Sequence, residues 1–305
     1  MKKLIFVCYS LFCLISCQKE PQWIGFSYPD GKYKALVLSY DDGTIQDREL
    51  VHLLDQNQLV GTFNLNSGYL GEIRGWPQKD GDTIFQEYVS KDSLLSLYKN
   101  HEIAVHGALH KDFTAIPHKE VLQEVQTDLE VLTQLTNRKI ISSAYPFGNT
   151  NDSIAALMAT TGILNGRTVA DTYRFDLPDN YMIWNPTCHD SKALDYLNPY
   201  LALNKQELSL FYVWGHSWEF GDAKRWENMV EFCTKIGKAN DIWFVGNGAL
   251  TQYLQALDKV QLEAHRISNP QGNEEVWVHL SSGIKKLNGG ESMALHPKTK
   301  KPVQN

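Results

Sequence analysis

Two adjacent carboxylates, Asp41-Asp42, and two imidazoles four residues apart, His106 and His110, are the side chains in this sequence best suited to hold a metal ion and activate water. One helical turn or a tight loop brings such a histidine pair to one side, where both can ligate at ~2.0–2.1 Å. A carboxylate as third ligand leaves positions open for water and substrate. Adjacent aspartates also occur in turns and cap helices, and an H-x-x-x-H spacing arises by chance, so neither pair carries the reading alone. Their places along the chain carry it.

Each group ends a stretch that reads as a strand. Lys34 to Tyr40 is a near-continuous apolar run of the kind buried on both faces, and Asp41-Asp42-Gly43 breaks it. His106 and His110 follow a short strand at Glu102 to Val105, Tyr145-Pro146-Phe147-Gly148 follows Ile140 to Ala144, and His216 follows Leu208 to Trp214. Further strands are expected at Val60 to Leu65, Ile163 to Val169 and Asp241 to Val245. Helical spacing is found at Arg48 to Asn57, Asp92 to Lys99, Lys119 to Thr136, Ser153 to Thr161, Arg225 to Lys238 and Ala249 to Leu257. Strands alternating with helices predict a parallel sheet or barrel, and about six or seven such units favour the barrel. No glycine-rich dinucleotide fingerprint follows the first strand. In a parallel α/β barrel, chemistry collects where strands run into the loops that follow them. Four strand ends here deliver polar or turn-forming residues to one rim.

These segments together resemble the polysaccharide deacetylase family (NodB-homology domain, carbohydrate esterase family 4). Leu38-Ser39-Tyr40-Asp41-Asp42-Gly43 is similar to its T-F-D-D-G signature, and His106-Gly107-Ala108-Leu109-His110 to its H-[ST]-x-x-H motif, with Gly107 at the hydroxyl position. Ala144-Tyr145-Pro146-Phe147-Gly148 matches R-x-P-[YF]-G except at its first residue, and Val213 to His216 resembles the late segment that supplies a catalytic histidine. The motifs occur in the family's order, from about Lys34 to Leu257. The resemblance implies a distorted (β/α) barrel of about seven units over residues 34–258. It implies that Asp42, His106 and His110 hold a divalent metal, zinc for preference with cobalt, nickel or manganese as substitutes. Asp41 would be the general base and His216 the general acid. Phe147, with Tyr145 and Pro146, would face the substrate, and a backbone N–H near Phe147 would stabilise the oxyanion. The implied partner is an acetylated glycan.

The sequence departs from the family in two places. Ala144 stands where an arginine normally tunes the base, and Arg167, at the end of another strand, is the candidate replacement. The D-x-x-D-W element has only Asp176-Leu177-Pro178-Asp179-Asn180 as its nearest counterpart, which leaves the acidic partner of His216 open. Trp214 and Trp218 flank His216 and could stack on sugar faces or pack in the core. His189 reads as a structural loop residue.

With 43% hydrophobic and 21% charged residues the chain suits a soluble core, and a formal charge of -6 without a basic stripe excludes a nucleic-acid partner. Met1-Lys2-Lys3, the apolar run Leu4 to Ile15 and Ser16-Cys17 describe an export signal over residues 1–16. Leu14 to Cys17 resembles a bacterial lipobox, so Cys17 is the expected lipid anchor, the only membrane contact expected of an exported, envelope-anchored lipoprotein. Residues 17–33 read as a tether and lead-in loop, and 259–305 as a small β appendage with a tail. Cys188 and Cys233 could form a disulfide or stay free. No oligomeric state is implied. The favoured activity is hydrolysis of an N- or O-acetyl group on a glycan. A non-glycan amidohydrolase and a non-catalytic glycan-binding lipoprotein are the alternatives.

Overall fold

A computed structural model describes residues 20–77, 81–204 and 206–296. The expected signal and Cys17 lie outside the described residues. The chain runs β1 (Trp23–Ser27), β2 (Lys34–Asp42), α1 (Asp47–Gln56), β3 (Gly61–Leu65), β4 (Ile73–Pro77), β5 (Thr83–Glu87), α2 (Leu94–Leu97) and β6 (Glu102–Val105). It continues through α3 (His118–Thr136), β7 (Ser142–Ala144), α4 (Asp152–Ala159), β8 (Asn165–Arg167), β9 (Cys188–His189), α5 (Ala193–Leu201), β10 (Ser209–His216) and α6 (Ala223–Ile236). It ends with β11 (Ile242–Phe244), α7 (Asn247–Asp258), β12 (Gln261–Glu263), β13 (Arg266–Ser268), β14 (Val276–Leu280), β15 (Gly283–Leu287) and β16 (Ser292–Ala294).

The main sheet is parallel, in the order β8-β7-β6-β3-β2-β10-β9. Its two ends meet. The segment leading into β9 runs beside β8, with Trp184 bridging Arg167 and the Thr168 N–H donating to the Trp184 carbonyl at 2.9 Å. The result is the distorted (β/α) barrel expected from the sequence. β2 is its central strand. One edge pairs β10 along its whole length, and the other is shared by β11 at Lys34–Leu36 and β3 at Leu38–Asp42.

Alternation along β2 explains both its apolar run and its chemistry. Leu36, Leu38 and Tyr40 join the cluster packed under the outer helices, with Leu50, Leu54, Phe232 and Ile236. Ala35 and Val37 belong instead to a cluster with Leu250, Leu254 and Leu257 of α7. The period of two continues that second face through Ser39 to Asp41. Its layer is polar and hydrogen-bonded: Glu102 accepts from Thr62, Ser142 and the Gly248 N–H, and Asn165 bonds Asn247 and Thr251. The N-terminal end of α7 therefore closes the barrel opposite the rim.

Several elements correct the sequence reading. Residues 23–27, expected within a tether, form β1 and pair antiparallel with β14. The C-terminal appendage is two three-stranded sheets, β1-β14-β15 and β12-β13-β16, whose Ile267, Val276 and Val278 share the α7 cluster. The helix expected at 92–99 shrinks to α2 and a preceding 3-10 turn. The hairpin β4–β5, the helix α5 and the short β9 had no counterpart. Cys188 and Cys233 are buried free thiols, which decides against the disulfide. No helix among the described residues is long and apolar enough to cross a membrane.

Candidate active site

Parallel strands place their C-terminal residues on one rim, and register does the rest. Asp41 is the Cα partner of His216 on β10 and of Asn64 on β3, while Ala144 on β7 pairs with Arg167 on β8. Strict alternation would turn Asp42 away from Asp41. Asp42 instead takes a left-handed φ of 79°, which breaks the strand and keeps both carboxylates at the rim. His110 (φ 52°) and Phe147 (φ 59°) adopt the same region, at a cost of about 1–3 kcal/mol each. Gly107, at the family's hydroxyl position, has φ 75°, and a Cβ there would approach Phe113 and Pro146 at 3.2–3.3 Å. Gly107 suits that backbone; a larger residue would strain it.

Asp42, His106 and His110 offer one ligand atom each, all within 4.8 Å of one another. Both histidines face Asp42 Oδ1 with Nε2, at 3.8 Å from His106 and 3.7 Å from His110. These separations exceed hydrogen bonds and suit a shared ion at ~2.0–2.1 Å from each ligand. The remaining valences agree. His106 Nδ1 lies 2.9 Å from the Ala144 carbonyl, which can only accept, so Nδ1 carries the proton and Nε2 a lone pair. Asp42 Oδ2 accepts the Trp218 indole N–H at 2.9 Å, leaving Oδ1 free to ligate. Burial, then the nearby His106 imidazole, push His110 down to about 4, keeping it in the neutral form that binds metals.

The loop carrying the histidines is clamped by residues that the sequence reading missed. On α3, Asp128 accepts the N–H groups of His106 at 3.0 Å and Ser67 at 2.8 Å, and Glu124 accepts that of Leu109 at 2.7 Å. Asn66 donates to the carbonyls of His106 and Gly107 at 2.8 and 2.7 Å. Asp128 and Glu124 lie on one helix face at i, i+4, a pattern that a charged surface shares.

Asp41 lies 3.7 Å from His106 Nε2 and is held differently from Asp42. The buried Arg167 guanidinium, 0% exposed, donates to both its carboxylate oxygens, and Asn64 donates to Oδ1 at 2.9 Å. Burial would raise Asp41, but Arg167 and the imidazoles of His106 and His216 outweigh it and hold the carboxyl at about 2. Arg167 thus reaches, from the strand beside Ala144, the carboxylate that an arginine at that position would have addressed.

His216 Nε2 is 4.0 Å from Asp41 Oδ2, and its Nδ1 is 3.6 Å from Glu219 Oε2. Residues 217–221 form a 3-10 turn, whose i, i+3 positions eclipse, so Glu219 comes back over His216. Glu219 also faces His189 Nε2 at 3.1 Å and Arg225 at 2.8 Å, and Arg225 bonds Asp190 at 2.7 Å. Burial opposes the protonated form of His216, but Glu219, Asp42 and Asp41 raise it to about 9. The acidic partner left open by the sequence is therefore Glu219. An H-x-x-E spacing at a strand end was the signal that could have found it. Asp176 stays on the surface, paired with Arg174.

These groups open into one cleft of about 470 Å³, lined by Asp41, Asp42, His110 and His216. The exposed Phe147 packs edge-on to His110 with centroids 4.5 Å apart. Tyr145 and Pro146 do not face it: both are buried, and the Tyr145 hydroxyl donates to the Met182 carbonyl at 2.8 Å. Gly166 makes room for that ring, since a Cβ there would come within 2.6 Å of it. Trp214 and Trp218 do line the cleft, but both are engaged. Trp214 donates to Asp171 at 2.8 Å with the Arg167 guanidinium 5.1 Å from its ring centroid, and Trp218 holds Asp42.

The family profile for polysaccharide deacetylases matches residues 19–166, which takes in Asp41, Asp42, His106 and His110 and stops one residue before Arg167. No curated protein matches the chain. Among solved structures, a protein from Mycobacterium smegmatis assigned to the polysaccharide deacetylases is 16% identical, with a TM-score of 0.56 over 79% of this chain and 96% of that one. A family 4 carbohydrate esterase from Streptomyces lividans, solved with acetate, is 13% identical at a TM-score of 0.43, covering 70% of this chain and 91% of its own. A Streptococcus pyogenes deacetylase, also solved with acetate, is 17% identical at a TM-score of 0.41 over 48% of this chain, which spans 61% of its length. At such identities the first of these speaks for the fold, and the profile match with its ordered motifs speaks for descent. Over residues 19–166 the chain matches the polysaccharide deacetylase family, and it shares the fold of the Mycobacterium smegmatis protein.

Proposed function

We propose that this protein is a metal-dependent hydrolase that removes an N- or O-acetyl group from a saccharide outside the cytoplasm. The observation that carries the reading is the meeting of the Asp42–His106–His110 donor set with Asp41 and His216 in one cleft. The donor set suits zinc, with cobalt, nickel or manganese as alternatives. A divalent cation held there would polarise the acyl carbonyl and acidify the attacking water.

The chain's own residues supply the proton steps. Asp41, ionised at neutral pH, takes the proton of the water as its oxygen adds to the carbonyl carbon. The Phe147 N–H serves the oxyanion. His216, protonated at neutral pH, gives its proton to the nitrogen or oxygen of the sugar as the C–N or C–O bond breaks and acetate leaves. Glu219, held by Arg225 and His189, orients His216 and keeps it protonated. Export rests on the charge and apolar pattern of Met1 to Cys17, with Cys17 as the lipid anchor.

A chelator is expected to abolish acetate release from acetylated chitin oligomers, peptidoglycan fragments or acetylxylan, and added zinc or cobalt to restore it. Full activity after demonstrated metal removal would reject the metal chemistry. Glu219→Gln tests the acid. Because Glu219 helps raise His216 to about 9, activity in the native protein should be lost only as the pH climbs through that region. The variant should lose it at lower pH, with kcat at pH 8 down about tenfold. An alkaline limb that does not move would remove Glu219 from this role.

A further inference from the structure

The walls of the cleft come from nearly every sector of the barrel rim. Val169 follows β8, Phe147 follows β7 and His110 follows β6, while Trp218 follows β10. The remaining sector, between β6 and β2, is filled by the β4–β5 hairpin, which the chain inserts after β3. From this geometry we infer that the hairpin turns the cleft into a blind pit, which admits the acetylated terminal residue of a saccharide, or a short saccharide, and excludes the interior of a long polymer. This inference rests on the deacetylase reading and specifies its substrate class.

A polymer bound at an interior residue must leave the site in two directions, so it needs two low sectors on the rim. The hairpin removes one of them. Its cross-strand pair Trp76 and Ile84 lines the cleft, whereas the next pair, Gly75 and Phe85, points away, as the period of two requires. The wall is also fixed in place. The Val89 N–H donates to the Gly43 carbonyl and the Ile45 N–H to the Glu87 carbonyl, each at 2.9 Å, while Gly71 donates to Val89. The base of the hairpin is thus tied to the turn that carries Asp42. Trp76 is oriented by its N–H on the Tyr88 hydroxyl at 3.2 Å and by edge contacts with Tyr69 and His110. A volume of about 470 Å³ lies low in the range of ligand pockets and holds one or two sugar rings, with Gln86 as a polar group on the same wall. The apolar faces of Trp76 and Ile84 suit the C–H face of a pyranose.

The test uses the full chain and whichever glycan in the acetate-release screen gives the highest rate. Products from a hexamer and from the parent polymer are located by tandem mass spectrometry. Acetyl loss is expected at the terminal residue, with about one acetate per polymer chain. In the double variant Trp76→Gly/Ile84→Gly, the ratio of interior to terminal loss should rise about tenfold. Phe85→Ser, on the outer face of the same hairpin, should leave that ratio as it is. A ratio reports only on active molecules, so partial misfolding of the double variant does not change its meaning. Interior acetyls lost as fast as terminal ones in the native protein, or a ratio unmoved by the double variant, would overturn the blind pit. If no glycan releases acetate at all, the deacetylase reading fails first and the pit with it.

Discussion

Asp41→Asn is expected to lower kcat about a thousandfold while leaving the metal content unchanged, because it removes the proton acceptor and no ligand. The substitution is nearly isosteric. Its carbonyl oxygen can still accept from Arg167 and Asn64, but the buried guanidinium loses its counter-charge, so the thermal midpoint should fall as well, and rates are compared on folded protein. Asp42→Asn provides the contrast, since losing a ligand should lower metal content and activity together. Metal analysis and initial rates on the same preparations separate the two. An Asp41→Asn enzyme retaining more than about a tenth of native kcat would show that another group accepts the proton.

Arg167→Leu is expected to damage both stability and catalysis. The guanidinium is fully buried against a buried carboxylate, and removing one member leaves an uncompensated charge in the barrel interior. Such losses run to about 3–5 kcal/mol, readable as a drop in the denaturant midpoint at constant slope. The pH profile should shift with a definite sign. Burial raises Asp41 and Arg167 lowers it, so without Arg167 the burial effect wins and the carboxyl stays protonated to higher pH. The acidic limb of kcat/KM should therefore move up in pH. A limb that stays in place would mean that the neighbouring imidazoles suffice. Arg167→Lys, keeping the charge but losing the fork, should recover part of the stability and little of the geometry.

Much of this site could be read from the sequence because its residues terminate strands. The buried run of β2 announced itself, and Asp41-Asp42, His106, His110 and His216 followed strand ends whose register the barrel then fixed. Arg167 was found for the same reason, as a strand-end cation next in order to the strand that ends at Ala144. Glu219 was not legible because the family pattern places the acid in a distant motif, whereas here a 3-10 turn supplies one three residues on. The hairpin β4–β5 was invisible for a physical reason: Ile73, Ile84 and Phe85 are exposed. The strand Trp23–Ser27 reads as tether because Pro21, Gly25 and Pro29 punctuate it, yet an edge strand tolerates such residues. Tyr145 matched a substrate-facing motif, and only the close approach of Gly166 shows that its ring turns inward.

The placing of β2 also bears on how the chain reaches this state. It is the first barrel strand to leave the ribosome, but two of its three partners, β10 and β11, are among the last. Beyond its pairing with β3, its apolar run therefore keeps one open edge until residues 209–216 have been made and half of the other until residues 242–244, and pairings of such long sequence separation form slowly. Asp41 cannot meet Arg167 or His216 before that closure. Closure of the barrel is therefore a late step, and the central strand with its open edge is the segment most in need of protection from aggregation in the interval.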